Sequence, residues 1–408
     1  MAILVTDGNQ RSTLALVRAL GRAGVTVTVG ECRPSSLAGN SRYCANTVCY
    51  PSPLEGEERF LAFLREILER RQHRVLLPMT DVTLQAVARA RGTLTPLVEV
   101  PLPEWKQVTI LQDKRQTLLL ARQAGLSYPQ TFLLHDNERV EDVAHTICYP
   151  AVIKPRFSWF LRDAQWFAGR VQYARNPSEL IAKYQQSHLL IPYPLVQERI
   201  EGEGRGVFLL VWDGELKAAF CHRRLREKPP SGGVSVYCES VPLDEVLVEK
   251  SFALLRSVGW QGVAMAEFKI DRRDGEAKLI EVNGRFWGSL QLCMDAGINF
   301  PLMLYRLATG ERISSQFNYR VGVKSRWLLG DLDHLLIRLT RSRELHGTGT
   351  PGVSKVGALL NFLKLYERDM HYEVLRLDDP YPGWTEMKTY LVDACRSLVQ
   401  RRKRTSDH

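Results

Sequence analysis

The stretch at residues 262–289 does most to limit what this chain can become. Residues 263–270 and 277–283 read as strands, and Asp274-Gly275 between them is a tight-turn signal, so the segment predicts an antiparallel hairpin. A pairing centred on Asp274 sets Glu267 opposite Glu281, with Asn283 two residues along on the same face. Like charges directly opposite destabilise a strand pair unless a cation or a shared proton relieves them. Two carboxylates and an amide oxygen form a hard-oxygen set suited to magnesium, which usually shares its ligands with nucleotide phosphates. On spacing alone, a solvated hairpin with incidental acids is the other open reading.

The rest of the chain allows such a site to sit in a multidomain protein. Its 408 residues suffice for two to four domains at the usual ~100–200 residues each. With 45% hydrophobic and 25% charged residues, wholesale disorder and collagen-like structure are excluded. The purest apolar run, residues 207–212, is far short of the ~18 residues of a membrane span, and the amino terminus has no secretory pattern. Eight cysteines without a CxxC pair and nine histidines without HExxH fit reduced thiols in a cytoplasm better than a zinc centre. The formal charge of +10 favours anionic partners such as nucleotides, carboxylates or phosphate surfaces, and selects none of them.

Residues 3–6, 12–24 and 25–29 read as strand, helix and strand, with Asn9 or Ser12 as helix cap and Gly24 as its stop. A helix at 57–71, a strand at 74–78 and a helix at 81–90 continue the alternation, so the first ~110 residues predict a doubly wound, Rossmann-like α/β domain. The turn Asp7-Gly8-Asn9-Gln10-Arg11-Ser12 has one glycine where the dinucleotide fingerprint needs three, which argues against a nicotinamide cofactor. A helix at 111–125 carries Lys114 near its start. A strand at 149–154, strand-rich sequence across 195–283 and helices at 178–186 and 243–257 make the middle an α+β block.

Glu281-Val282-Asn283-Gly284-Arg285 resembles the ExNxR signature of the ATP-grasp superfamily, the fold of D-alanine ligases, biotin carboxylase and carbamoyl phosphate synthetase. The resemblance implies that Glu267, Glu281 and Asn283 hold magnesium, or manganese in its place, on ATP, and that Arg285 contacts phosphate or an acyl phosphate. Many relatives have proline where this chain has Gly284, a departure that touches backbone stiffness more than ligand chemistry. Asp113-Lys114 leading to Ala124-Gly125-Leu126 and Pro129, then Val152-Ile153-Lys154-Pro155, fit the same family in the same order. By that analogy Lys114 and Lys154 contact ATP phosphates, a task suited to a mobile point charge. Residues 196–204 are similar to the hinge that receives adenine: Gln197, Glu198, Arg199 and Ile200 would form the adenine edge, and Glu203 would contact ribose. Where many relatives carry a glycine-rich phosphate loop, Arg156-Phe157-Ser158-Trp159-Phe160 is aromatic and basic, so closure would rely on Arg156 or Arg162. Arg223, Arg224, Arg226 and Lys228, ahead of Ser231-Gly232-Gly233, suit a carboxylate and its developing phosphate, and Arg224 and Arg226 join Arg285 as the expected catalytic cations.

The implied architecture is a Rossmann-like pre-ATP-grasp domain at 1–112, a two-lobed ATP-grasp fold at 113–195 and 196–312, and a helix-rich basic extension at 313–408. The implied activity is an ADP-forming carboxylate-amine ligase acting on small molecules through an acyl phosphate. Its alternatives are acyl transfer to a carrier-protein thiol and a nucleotide-binding module without turnover. No nucleic-acid module is recognised, so nucleic acid is not an expected partner, and a homodimer is compatible with the reading. In the extension, Leu328, Leu332, Leu335, Leu336 and Leu339 recur at helical spacing between Asp331, Asp333, His334, Arg338 and Arg341. Either that leucine stripe packs on the body, or a basic amphipathic surface meets an anionic membrane or an acidic carrier protein. Arg401, Arg402, Lys403 and Arg404 would assist, in a run expected to lack order.

Overall fold

The structure, a computed structural model, describes residues 2–136, 138–340 and 354–406, the last ten of these as backbone only. Arg341, most of the glycine-rich connection at 347–357 and the side chains of Arg401 to Arg404 lie outside the described residues.

The opening alternation folds as expected. Ala2–Val5 is central in a four-stranded parallel sheet between Thr26–Glu31 and His73–Leu77, with Asn46–Cys49 beyond the former. A parallel sheet must be covered on both faces, and Ile3, Leu4, Val5, Val75 and Leu76 are fully buried in turn. The helix Arg11–Arg22 covers one face, but neither expected cap serves it. Gln10 is the cap residue and makes no side-chain bond, because Asn9 Oδ1 accepts from the Leu37 N–H and Ser12 is buried in the first turn. The helix expected at 111–125 is split into Trp105–Gln112 and Lys114–Gln123. Asp113 turns extended between them and its carboxylate accepts the Arg115 N–H, starting a second helix on Lys114.

A smaller sheet follows, in the order Thr131–Phe132, Leu195–Glu198, Ala151–Lys154 and Gln172–Ala174, with a compact core that includes Leu134, Ile153, Leu180 and Val196. Trp159–Arg162 and Gln165–Ala168 pair with each other as a separate hairpin. The largest sheet has seven strands, in the order Ala277–Asn283, Gly262–Asp271, Gly202–Trp212, Glu215–Lys228, Val234–Ser240, Lys324–Arg326 and Met370–Tyr372. Its last two strands come from the region read in sequence only as helix-rich.

That region is joined tightly to the body. The helix Leu328–Thr340 buries Leu329, Asp331, His334 and Leu335, whereas Leu336 of the expected stripe is 44% exposed. An ionic contact sets the helix's rotation: Asp331 accepts from Arg226 and from the buried Arg326, whose Nε lies 2.7 Å from Oδ2. A second tie reaches the first helix. The fully buried Arg18 bonds Asp379 through Nε at 2.8 Å and the carbonyls of Glu373, Val374 and Asp379 through its other nitrogens. The last helix, Tyr381–Ser406, carries the terminal basic run in helical backbone.

Candidate active site

The carboxylate hairpin forms where the sequence predicts it. Gly262–Asp271 pairs antiparallel with Ala277–Asn283, Glu267 stands opposite Glu281, and Met265 stands opposite Asn283. Beyond Glu267 the register slips by one, so Phe268 faces Leu279 and the turn is asymmetric without disturbing the acids. These residues line a cleft of about 410 Å³ between the hinge strand Leu195–Glu198 and the large sheet. Lys114, Lys154, Gln197, Glu198, Arg199, Ile200, Arg224, Glu267, Glu281, Asn283 and Arg285, spread over 172 positions from first to last, share that one cleft.

Two expected site residues do not reach it. Arg226 shares the parity of Arg224, but bulges on either side of it re-aim the side chain. It lies instead 2.6 and 2.8 Å from the two oxygens of Asp331 and over the ring of Tyr237. Glu203 is on the wrong face of its strand. A Cβ at Gly204 would meet Arg224 and Glu227, so residue 204 looks toward the cleft, and Glu203 turns away to Arg205 and Arg223. Arg156 and Arg162 are not among the residues that line the cleft: Arg156 pairs with Asp113, and Arg162 donates to the Leu190 carbonyl. The aromatic hairpin is instead tied to the opening domain. Gln85 Nε2 donates to the Trp159 carbonyl at 3.0 Å, Lys114 Nζ donates to Ser158 Oγ at 2.8 Å, and Arg89 lies over Trp166.

The cleft also contains residues the sequence reading passed over. Lys269 follows Glu267 by two and was accessible from strand period alone, whereas Arg11, Tyr173 and Glu227 arrive from distant segments.

Charge is divided unevenly across the hairpin. Burial pushes the Glu267 carboxyl up, as does Glu281, against the pull of Arg224. Arg224 grips it with two bonds, Nη1 to Oε1 at 2.7 Å and Nη2 to Oε2 at 2.6 Å, and bonds Glu227 at 2.9 Å. Burial also opposes ionisation of Glu281, but Lys114, the Asn283 amide, Lys154 and Arg285 outweigh it and hold the group below the usual carboxylate range. Glu281 is thus the committed anion. Among the described residues no group of three or more His, Cys, Asp or Glu side chains could hold a metal ion, so the candidate set is two acids completed by the Asn283 amide. This hard-oxygen set fits a divalent cation, with Glu267 either released from Arg224 or using its remaining lone pairs.

No curated protein matches the chain in sequence. A family described as "ATP-grasp in the biosynthetic pathway with Ter operon" matches residues 191–329, the segment that contains the hinge and the carboxylate hairpin. Among solved structures, the biotin carboxylase domain of Hydrogenobacter thermophilus 2-oxoglutarate carboxylase, in complex with MgADP, ADP and bicarbonate, is similar at a TM-score of 0.63 and 16% identity, over 79% of this chain and 73% of that one. The L-amino acid ligase of Bacillus licheniformis is similar at 0.58 and 20%, over 75% and 73%. Staphylococcus aureus N5-carboxyaminoimidazole synthetase complexed with ADP is similar at 0.60 and 12%, over 79% and 80%. This chain has an ATP-grasp fold.

On the ATP-grasp framework, Lys154 ends a strand of the smaller sheet and faces the hairpin acids across the cleft. Burial lowers it to about 8, with Lys114 acting the same way and Glu281 and Glu267 opposing. A lysine shifted down is cationic below that value and neutral above it, and an anionic nucleotide binds the cation. The affinity of the cleft for a polyanion is therefore expected to be level at neutral pH and to fall as pH rises through about 8. Titration of ATP from neutral to alkaline pH checks this, and Lys154→Met should remove the slope.

Proposed function

We propose that this ATP-grasp protein is an ADP-forming carboxylate-amine ligase that uses ATP with Mg2+, or Mn2+ in its place. The observation that carries the reading is the shared cleft: Glu267, Glu281 and Asn283 face Lys114 and Lys154, with Arg285 alongside. A divalent cation held there by the two acids and the amide would neutralise phosphate charge. Lys114 and Lys154 bind the phosphates, and the backbone of residues 197–200 takes the adenine edge. Arg285, fixed by Asp81 at 2.9 Å, holds the transferring phosphoryl group or the acyl phosphate. The substrate carboxylate attacks the γ-phosphorus in line, ADP leaves, and an amine then displaces phosphate to form the amide. Arg224, once exchanged from Glu267, has the planar fork to grip the reacting carboxylate.

A module without turnover is the second reading, and it draws on Arg224 occupying both oxygens of Glu267. ADP formation over a matrix of acids and amines, with mass spectrometry of the product, separates the readings. An amide supports the ligase, a thioester formed when a carrier protein is added replaces it with acyl transfer, and no ADP with any pair overturns both of these and leaves the module without turnover.

The aromatic hairpin is the expected water barrier. Hydrogen exchange across Trp159–Arg162 and Gln165–Ala168 should slow when ATP and the acid bind together, because closure shields an acyl phosphate. Unchanged exchange makes the hairpin a fixed contact surface. The helix Lys355–Leu363 leaves Val356, Leu359, Leu360 and Leu363 exposed beside Lys355 and Lys364, which supports docking on an anionic membrane or an acidic carrier protein. Such docking weakens with added salt. A homodimer is also compatible with the reading. No helix among the described residues is long and apolar enough to cross a membrane.

A further inference from the structure

Arg11 enters the cleft from the opening domain, beside Ser235 and Gly288. Its position is defined on three sides. Trp327 lies against the guanidinium plane, with the ring centroid 3.9 Å from Cζ. The buried Glu373 takes Nη1 from behind. Nη2 faces Gly288, where a Cβ would come within 2.9 Å, so the glycine leaves the room that the guanidinium occupies. Ser235 lines the same part of the cleft and is 8% exposed. The phosphate lysines, the metal acids and the adenine hinge are all supplied by other residues, so this corner is not explained by nucleotide binding.

We propose that Arg11 forms a subsite for a second anionic group, a carboxylate or a phosphate, borne by one of the two substrates apart from the carboxylate that is activated. The location of the reacting carboxylate in this inference rests on the ligase reading; the anion subsite itself does not. Arg11 offers a planar fork, Trp327 restrains its plane, and Glu373 moderates its charge. Trp327 and Glu373 both belong to the carboxy-terminal region, which thereby helps set substrate choice without touching substrate. The expected substrates are dicarboxylates, amino acids with a free carboxylate, or phosphorylated amines, in preference to their neutral counterparts.

The test uses the full chain, with the nucleotide site filled by a non-hydrolysable ATP analogue so that added phosphate cannot bind in place of the γ-phosphate. Succinate, inorganic phosphate and neutral succinamide are titrated by calorimetry into the natural protein, Arg11→Gln and Glu373→Gln, with circular dichroism confirming that each is folded. Succinate, phosphate or both should bind, and succinamide should not. Arg11→Gln should weaken anion binding about tenfold, and Glu373→Gln should strengthen it several-fold because Arg11 loses its neutralising partner. Both variants break one ion pair, so a purely structural role would move both the same way. Two anions of unequal affinity identify the group as carboxylate or phosphate. No anion binding by the natural protein, an unchanged Arg11→Gln, or weakening in both variants overturns the proposal. Failure of the ATP analogue to bind overturns the ligase reading, and the subsite is then read from the succinate titrations of the natural protein and the two variants.

Discussion

Glu281→Gln is expected to reduce ADP formation by at least about a hundredfold while the chain stays folded. Glu281 is the carboxylate that Lys114, Lys154 and Arg285 hold ionised in a buried position, and it faces Glu267 directly. Glutamine preserves the shape and one oxygen but removes the charge on which the two lysines converge and which the proposed divalent cation would need. In the unliganded protein the loss of attraction to those cations is offset by relief of the repulsion from Glu267, so the effect on folding is small beside the effect on turnover. Steady-state ADP release over a magnesium series, with thermal unfolding alongside, gives both quantities. Turnover equal to that of the natural protein at saturating magnesium would falsify the metal assignment.

Asp379→Ala is expected to destabilise the whole fold by about 3–5 kcal/mol. Asp379 is fully buried and binds the fully buried Arg18, the Ser41 hydroxyl and the Arg42 N–H. Removing it leaves a guanidinium in the interior with only carbonyl oxygens as partners. Because Arg18 is on the first helix and Asp379 near the last, the loss should appear as earlier unfolding of the opening domain and the carboxy-terminal region together. Denaturant melts followed by tryptophan fluorescence measure it. The double variant Arg18→Met with Asp379→Leu should recover much of the loss, since a well-packed apolar pair need not match a buried charge. A single variant within about 1 kcal/mol of the natural protein would show that this contact does not hold the extension in place.

Local pattern made much of this protein legible. Strand alternation and Asp274-Gly275 predicted that Glu267 faces Glu281; the pairs next to the turn are one residue off that register, and a bulge beside Glu267 restores it. The opening sheet was legible for a similar reason: its buried strands are short apolar runs divided by amphipathic helices. Misplacements arose where one contact outweighed periodicity. Arg226 has the right parity for the cleft and is turned out by flanking bulges and Asp331, and the same Asp331 takes the buried face of its helix, so that of the leucine stripe only Leu335 is buried and Leu336 is exposed. Glu203 fell on the wrong side because strand parity across Gly204 depends on pairing with Gly262–Asp271.

By itself the sequence determined the alternating elements of the opening domain and the facing of Glu267 and Glu281, since each follows from spacing along one segment. Only the tertiary structure decided that Lys324–Arg326 and Met370–Tyr372 complete the large sheet, that Arg18 and Asp379 meet, and that Arg11 reaches the cleft with Trp327 and Glu373 behind it. The reason is physical: such contacts join groups up to 362 positions apart, and no periodicity within a segment encodes which distant charge will neutralise a buried one.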